Sequence, residues 1–452
     1  MTQLDEAIAH YHKLLESDKF SDLGWAEAIQ EQVQARKLTG GIQAILPVLR
    51  PHFVTRRQFT NLVKASEALL SAIGRVKQLA LSTPALLARM ELLPAEKALA
   101  SLDPGYPIAA VTSRLDTSLS NGSFHFLQFN VGAPAGAASS EALAELFYDS
   151  PLVKDFRKRF KLARMGGIKH LLEALLKAYT LFGTKRFPRI AILEFLPPYQ
   201  LEHTGEYMLL AEYFRRAGCP TEVVTPDELE YRGGKLRSNG FEIDLVYRKI
   251  TVQEFLMRFD LSHPLVRAYR DGAVCVVNSF RAELAHKKAI FALLTDERVT
   301  GGFPAAERKA IREHIPWTRV VNSSKTTYGD EEVDLPEFIF KHREHLVLKP
   351  NDVSTGQHAY PGWETDESGW DRAIRTALRD SYVVQERVEL KSSVFPLLQF
   401  GSLEMKSMAV DVQPHIYLGK VHGCSSWLSD VSSGGFSTLA GLAPTFILES
   451  RS

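Results

Sequence analysis

The sequence has few cysteines, and no metal-binding pattern surrounds them. Its 452 residues include only Cys219, Cys275 and Cys424, which lie far apart and form no CxxC or Cys/His zinc spacing. A disulfide framework is therefore not expected, and we predict that all three thiols are buried as small apolar side chains. No histidine falls in an HExxH pattern, which argues against a zinc site of that kind.

The sequence also lacks an excess of charge of one sign and lacks long apolar runs. Lys and Arg together number 54 and Asp and Glu 53, which gives a formal net charge of +1. Proteins dedicated to nucleic acids or membrane surfaces usually carry a basic excess, so neither partner is expected. No apolar run approaches the roughly 18 residues of a membrane span, and the polar N-terminal segment does not resemble a signal peptide. We expect a cytoplasmic protein whose oligomeric state the sequence leaves open.

The composition is typical of a folded protein with several domains. Hydrophobic residues make up 45% and charged residues 24% of the chain, which excludes wholesale disorder. Apolar residues at helical spacing predict a helical N-terminal region over 1–100. Two strands and a helix are expected within 101–185, and alternating strands and helices predict an α/β domain with a mainly parallel sheet over 186–300. Residues 301–452 are predicted to be mixed α+β.

Several local elements bear on the chemistry. A run of β character over 106–111 leads toward an Asn-Gly turn at 121–122, and a second apolar run covers 124–129. Two strands around such a turn form an antiparallel pair. A helix is predicted across 282–294 and a separate strand over 415–421.

Four polar side chains flank the predicted turn between these two strands. Residues two apart on a strand point to the same side, so Arg114 and Asp116 share a face, as do Gln128 and Asn130. If the strands pair, all four can converge. One carboxylate and two amide oxygens suit Mg²⁺, and Arg suits a carboxylate or phosphate. The alternative is the solvated polar face of an exposed hairpin.

Two further segments combine an apolar strand with polar residues at its end. Lys349 ends one such strand and precedes a small polar loop over 351–356, a plausible grip for phosphates. Gln385 and Glu386 end the apolar run at 382–384, where backbone groups could bind a purine base. Taken alone, the Lys349 segment is a weak signal, because many strands end in Lys, and the 382–386 segment is more typical of an ordinary strand end.

Together these segments resemble the circularly permuted ATP-grasp superfamily, which includes glutathionylspermidine synthase. The resemblance covers roughly residues 104 to 447. It rests on an Arg-x-Asp segment, a following x-Asn segment, a Lys-Ala helix start, a Leu-Lys-Pro strand with its loop, and a Val-Gln-Glu-x-Val hinge, namely 114–116, 128–130, 286–290, 348–356 and 384–388. It implies a mixed α/β and α+β chain with a circularly permuted ATP-grasp fold, a Rossmann-like pre-ATP-grasp α/β domain and a helical N-terminal region.

The resemblance also implies a role for individual residues and two cofactors, ATP and Mg²⁺. The phosphates and the adenine side of ATP would be contacted by two lysines, the glycine-rich loop and the hinge. Mg²⁺ would be held by the three oxygen-bearing side chains of the paired strands, and the catalytic arginine would neutralise the transferring phosphoryl group. The ATP-binding residues are Lys288, Lys349, Gly356, Gln385, Glu386 and Val388; the metal ligands are Asp116, Gln128 and Asn130; and the catalytic residue is Arg114.

The implied activity is ATP-dependent ligation of a carboxylate to an amine through an acyl phosphate, with ADP as product. The substrates would be a small-molecule or peptide carboxylate and an amine. Gln128 stands where the family has Glu, and Thr355 and His358 replace two loop glycines. These departures leave open a catalytically impaired relative that acts as a nucleotide-binding or scaffold protein. A phosphotransferase acting on a non-carboxylate acceptor is a further alternative.

Overall fold

The computed structural model describes most of the chain. The described residues are 2–40, 43–44, 48–108, 110–120, 123–183, 186–196, 205–352, 359–390, 392–399, 401–430 and 440–450. Gly356 and the loop around it, as well as the turn at 121–122, lie outside them.

The helices of the described residues occur throughout the chain and range from one turn to more than seven turns. They are α1 Gln3–Leu15, α2 Gly24–Ala35, α3 Arg56–Ser82, α4 Pro84–Ala88, α5 Pro94–Ser101, α6 Ala137–Asp149, α7 Pro151–Phe156, α8 Ile168–Phe182, α9 Gly205–Arg216, α10 Val252–Leu256, α11 Pro264–Arg270, α12 Glu283–His286, α13 Ala289–Leu294, α14 Glu297–Thr300, α15 Ala305–His314, α16 Leu335–Lys341 and α17 Glu367–Arg379.

The strands form several separate sheets. They are β1 Thr39–Gly40, β2 Gln43–Ala44, β3 His52–Thr55, β4 Thr112–Ser120, β5 Ser123–Asn130, β6 Leu162–Ala163, β7 Ile190–Leu193, β8 Thr221–Val224, β9 Leu229–Arg232, β10 Lys235–Ser238, β11 Phe241–Ile243, β12 Leu245–Arg248, β13 Cys275–Val277, β14 Thr318–Val320, β15 Lys325–Tyr328, β16 Glu331–Asp334, β17 Leu346–Pro350, β18 Tyr360–Pro361, β19 Tyr382–Glu386, β20 Ser392–Gln399, β21 Ser402–Tyr417, β22 Lys420–Asp430, β23 Ala440–Ala443 and β24 Thr445–Leu448.

The largest sheet contains the predicted hairpin. Its strand order is β23-β22-β21-β4-β5, with β20 paired to β21, and its neighbouring strands are antiparallel. The pairing of β4 with β5 is confirmed, but the first strand begins at Thr112 rather than at Tyr106. Pro107 has no N–H to donate, and the amides of Val111 and Thr112 donate instead to Oδ1 of Asn278, at 2.9 and 3.1 Å. The segment before Thr112 is therefore a loop fixed by a side chain.

The α/β domain has the predicted parallel sheet, in the order β13-β12-β7-β8. Both faces of this sheet are covered. Alternate residues such as Ile192 pack with α8 and α9, whereas residues such as Val246 pack with α10 and α11. Burial on both faces is the usual environment of parallel strands. All three cysteines are buried, as predicted, and Cys275 lies within this sheet.

A third sheet, in the order β14-β19-β17-β18, carries the two predicted strand ends. Leu348 and Val384 face α16 and α17 in a small core. Because side chains alternate across a strand, Lys349 and Gln385 point to the opposite face. The helices thus leave one face of this sheet for polar side chains.

Two predicted elements differ from the structure in ways that matter for the site. The helix predicted over 282–294 is two helices, α12 and α13, because Lys287 adopts an extended conformation and its side chain pairs with Glu96 and Asp352. The strand predicted over 415–421 is also divided. Leu418 and Gly419 have positive φ angles and form a turn between β21 and β22.

The N-terminal region is mainly helical, but it also contributes strands. The long helix α3 begins with a capping box in which Thr55 and Gln58 bond each other's backbone amides. Just before it, β3 pairs in parallel with the C-terminal strand β24. Among the described residues, no helix combines the length and apolar character that a membrane crossing needs.

Candidate functional site

The four polar residues of the hairpin form one hydrogen-bonded network. Arg114 lies opposite Asn130 and Asp116 opposite Gln128. Arg114 Nε donates to Asp116 Oδ1 at 2.9 Å, and Asn130 Nδ2 donates to Asp116 Oδ2 at 2.8 Å. Gln128 Nε2 donates to Asn130 Oδ1 at 3.0 Å. The side chains of Arg114 and Asp116 are only 16% and 20% exposed, so this is not the solvated face of a free hairpin.

Arg114 is held from a second side as well. Its Nη1 donates to the carbonyl oxygen of Ala135 at 3.0 Å, in the loop that precedes α6. The guanidinium group is therefore fixed between β4 and this loop. A cation oriented in this way can neutralise charge on a neighbouring phosphoryl or carboxyl group.

The structure adds a carboxylate, Asp411, that sequence reasoning missed. Asp411 lies opposite Ser118 in the pairing of β21 with β4, and Ser118 shares a face with Asp116. Burial raises the pKa of Asp411 to about 7, and the Asp116 carboxylate adds to this effect, whereas Lys349 opposes it. The signal in the sequence was a charged residue between Val410 and Val412 in an otherwise apolar strand segment.

Lys349 lies on the polar face of the third sheet. Its Nζ donates to Gln385 Oε1 at 2.8 Å, and Gln385 Nε2 donates in turn to Thr318 Oγ1 at 3.0 Å. Burial lowers the pKa of Lys349 to about 8, and the carboxylates of Asp411 and Asp116 oppose that shift. These two carboxylates belong to the largest sheet, so the cation and the anions act on each other between sheets.

Lys288 lies at the break between α12 and α13. Burial lowers its pKa to about 8, Lys349 adds to the shift, and Asp352 and Asp116 oppose it. The backbone amide of Lys288 donates to the carbonyl oxygen of Asn351 at 2.8 Å. Asn351 Oδ1 accepts from the amide of Ala289 at 2.8 Å. The segment with Lys288 is therefore fastened to the end of the strand with Lys349.

Glu386 occupies the predicted hinge but is engaged within the protein. Its Oε2 accepts from the amide of Trp317 at 3.0 Å, and its Oε1 accepts from the hydroxyl of Tyr328 at 2.8 Å. Its own amide donates to Trp317 O, and the amide of Arg387 donates to His345 O. An adenine contact through these two amides would have to replace existing bonds.

A cleft of about 290 Å³ opens beside this hinge. Trp317 and Glu386 line it together with Leu294, Thr295 and Ile315. Val388 is half-buried in the segment that follows β19. Its predicted adenine contact stays a prediction, as does the phosphate contact of Gly356, which lies outside the described residues.

The hairpin residues fit a hard divalent cation after one rearrangement. Asp116 provides a carboxylate, and Gln128 and Asn130 provide amide oxygens, which are donors that Mg²⁺ accepts. Both carboxylate oxygens of Asp116 now accept hydrogen bonds from neighbouring side chains. If the Asn130 amide turns over, its oxygen replaces its N–H beside Asp116. The Gln128 amide, which now donates to Asn130 Oδ1, then turns over with it and presents its own oxygen. Asp411 brings a second carboxylate to the same face. It supplies a negative charge that the neutral Gln128 side chain does not.

Comparison with known proteins shows a likeness of fold. No protein-family model matches the sequence, and neither does a curated protein. Among solved structures, the chain is similar to a glutathione synthetase-like effector from Globodera pallida, with a TM-score of 0.66 and 14% identity over 96% of this chain and 98% of that one. The predicted resemblance to ATP-grasp relatives is thus confirmed as a likeness of fold.

Two more distant likenesses are to ligase-type proteins. A putative γ-glutamylcysteine synthetase from Methylobacillus flagellatus has a TM-score of 0.41 and 11% identity, with 84% of each chain covered. The ATP-grasp ligase PsnB has a TM-score of 0.30 and 14% identity, over 57% of this chain and 89% of that one. The circular permutation and the domain boundaries stay predictions.

Proposed function

We propose that the protein is an ATP-dependent ligase that joins a carboxylate to an amine. The observation that carries the proposal is a cluster of two largely buried lysines and two carboxylates from separate elements. The Asp116 carboxylate opposes the lowered pKa of Lys288, at the break between α12 and α13, and of Lys349, on β17, and Asp411 acts on Lys349 in the same way. Such a cluster suits a triphosphate, whose negative charge needs cations, together with a metal ion that needs carboxylates.

In this proposal Lys349 and Lys288 hold the phosphates. Their pKa values of about 8 leave both mainly protonated at neutral pH. Arg114 lies on the hairpin, where its fixed guanidinium group stabilises the transferring phosphoryl group or the acyl phosphate. Asp116, Gln128, Asn130 and Asp411 would hold Mg²⁺, which when bound neutralises charge on the phosphates.

The proposed reaction needs no nucleophilic side chain of the protein. The substrate carboxylate attacks the γ-phosphorus, the bond to the bridging oxygen breaks, and ADP leaves. The amine then attacks the acyl carbon, phosphate departs, and an amide forms with loss of one proton from the nitrogen. The chain's contribution is the orientation of the reactants and the exclusion of water by the buried site.

The proposal is tested by nucleotide turnover. Purified protein with ATP, Mg²⁺ and a panel of amino acids, amines and short peptides should release ADP and phosphate only when a carboxylate and an amine are both present. Retention of phosphate on a product would instead favour a phosphotransferase. Absence of ATP binding in calorimetry would contradict both activities.

A second function, nucleotide binding without turnover, is favoured by one specific observation. Both oxygens of Asp116 are engaged by Arg114 and Asn130, and Gln128 supplies no charge to the site. This function predicts ATP binding without ADP release under all substrate conditions. Turnover that appears in Gln128→Glu would show that the missing carboxylate limits catalysis.

A further inference from the structure

A buried group of three metal-ligating side chains lies outside the site described above. Glu283 and His286 are three residues apart on α12, on the same side of that short helix. Asp352 follows β17. One ligand atom from each of the three lies within 4.8 Å of the other two. We call these three residues the buried trio.

Most polar atoms of the trio lack hydrogen bonds to the described residues, although they are hidden from solvent. Glu283 is 1% and His286 3% exposed. Within the part of the chain that the structure describes, no hydrogen-bond partner reaches either oxygen of Glu283, either ring nitrogen of His286 or Oδ1 of Asp352. His286 Nε2 lies 3.7 Å from Asp352 Oδ1, which is too far for a hydrogen bond. Buried polar atoms are normally satisfied, so this many unsatisfied atoms at one point indicates an absent partner.

The charged residues around the trio do not supply the hydrogen bonds that its polar atoms lack. Lys287 pairs with the other oxygen of Asp352 and with Glu96. Arg248 Nη2 reaches only to 4.0 Å from Glu283, and this nitrogen also lacks a hydrogen bond. The Val252 amide lies near the Glu283 carboxylate but does not meet hydrogen-bond geometry. Three carboxylates meet three cations here, because Lys288 also interacts with Asp352, but none of these cations makes a hydrogen bond to Glu283 within the described residues. A buried carboxylate without a hydrogen-bond partner is costly.

We propose that the buried trio binds a divalent first-row transition metal ion of the Zn²⁺ or Mn²⁺ class. One imidazole nitrogen and two carboxylate oxygens make a mixed donor set that such ions accept, whereas Mg²⁺ is usually bound by oxygen donors alone. Three protein ligands leave room for water in the remaining positions.

The metal would fasten the two segments that carry the proposed phosphate-binding lysines. Glu283 and His286 precede Lys288 by a few residues, and Asp352 follows Lys349 at the end of β17. The role is therefore a clamp that positions these segments. It is separate from the hairpin and from Mg²⁺, and it does not depend on ligase activity.

Two other occupants compete with a metal ion at this point. A proton on Glu283 would remove its negative charge, and a buried water molecule would satisfy some of the unpartnered atoms. Neither occupant produces binding of a metal ion in stoichiometric amount. Direct titration with a metal ion therefore distinguishes these possibilities.

The experiment uses the full chain, stripped with a chelator and without nucleotide. Co²⁺ serves as the probe, because its visible d–d absorption reports coordination, and Zn²⁺ is added in competition. We expect one equivalent of Co²⁺, with absorption bands that Zn²⁺ abolishes. Glu283→Gln and His286→Gln should each weaken binding by at least about 10-fold, since even the loss of an outer-shell partner costs that much.

His170→Gln is the matched control. His170 and Glu173 form an exposed His-carboxylate pair at 3.0 Å, also three residues apart on a helix. This variant should bind Co²⁺ as the wild type does. Binding that is lost in His170→Gln but kept in His286→Gln would overturn the proposal.

The wild-type chain alone also decides the question if a variant does not fold. Zn²⁺ should raise its thermal unfolding midpoint and Mg²⁺ should not reproduce that shift. No shift together with no d–d absorption would overturn the proposal. Since ATP is absent throughout, a failure here leaves the proposed ligase function untouched, and a failure of ATP turnover leaves this test valid.

Discussion

The hairpin network and the buried trio contain similar ligand types but differ in how their polar atoms are satisfied. In the hairpin, Asp116 and Asn130 accept hydrogen bonds from neighbouring side chains. In the trio, Glu283 and His286 have unpartnered atoms despite near-complete burial. A cation at the hairpin must replace existing hydrogen bonds, whereas a cation at the trio would satisfy atoms that have none. The types of ligand in a cluster therefore do not show how many hydrogen bonds a cation must replace when it binds.

The difference also suggests separate roles for the two clusters. A site whose metal ion enters and leaves with a nucleotide must be stable without it, and internal hydrogen bonds provide that stability. A site that permanently holds its metal ion does not need internal hydrogen bonds to stabilise its ligands without the ion. The predictions below test whether the two clusters differ in this way.

The largest effect is expected from Lys349→Met. If the nucleotide lies between the hairpin and Lys349, removal of this cation should weaken ATP binding about 100-fold. That change corresponds to roughly 3 kcal/mol, which is typical of a buried hydrogen bond to a charged group. Calorimetric titration with Mg²⁺ and ATP measures the change. Lys325→Met is the control, because Lys325 is exposed and pairs with Glu332 at 3.3 Å. Equal ATP affinities for the two variants would show that the nucleotide does not bind beside Lys349.

Asn351→Ala should cause the next largest effect, because Asn351 joins the segments that carry Lys288 and Lys349. Its side chain bonds the Ala289 amide at 2.8 Å and both Met90 O and Ser381 Oγ at 3.1 Å. The substitution leaves buried groups unsatisfied, so the free energy of unfolding should fall by about 2 kcal/mol. Denaturant unfolding measures this loss. An unchanged midpoint would show that the segments with Lys288 and Lys349 are held together by other contacts.

Gln128→Glu should change only the hairpin. A further carboxylate beside Asp116 and Asp411 should lower the Mg²⁺ concentration that half-saturates ATP binding by about 10-fold. Without Mg²⁺ the same variant should be less stable, because three carboxylates then lie close together. Co²⁺ binding at the trio should not change. If Gln128→Glu altered Co²⁺ binding instead, the two clusters would not be separate sites.

A smaller effect is expected from pH. Because the pKa of Lys349 is about 8, ATP affinity should decline severalfold as the pH rises from 7 to 9. The free energy of unfolding should instead rise over this pH range. The unfolded lysine keeps its proton until about pH 10.5, so between these values the unfolded state binds more protons and the free energy of unfolding rises with pH. Comparison with Lys349→Met over this range isolates the contribution of Lys349.

The sequence predicted the parts of the site that depend on short-range patterns. The Asn-Gly turn and the alternation of polar residues placed Arg114, Asp116, Gln128 and Asn130 together, because strand pairing around a short turn is local. The start of the first strand was wrong, since Asn278, far along the chain, binds the amides before Thr112.

The parts that were missed depend on contacts between distant segments. Asp411 reaches the hairpin only through the pairing of β21 with β4. Glu283 and His286 were assigned to one continuous helix, and the break that Lys287 makes with Glu96 and Asp352 has no local signal. Spacing within a helix can suggest two ligands, but the third comes from a segment more than sixty positions away.

The most direct test of the central claim is a structure of the protein with Mg²⁺ and a non-hydrolysable ATP analogue. We predict that the triphosphate lies between Lys349 and Asp116, with Lys288 beside the phosphates and the metal ion on the hairpin. A nucleotide bound elsewhere, with no phosphate near Asp116 or Lys349, would contradict the account.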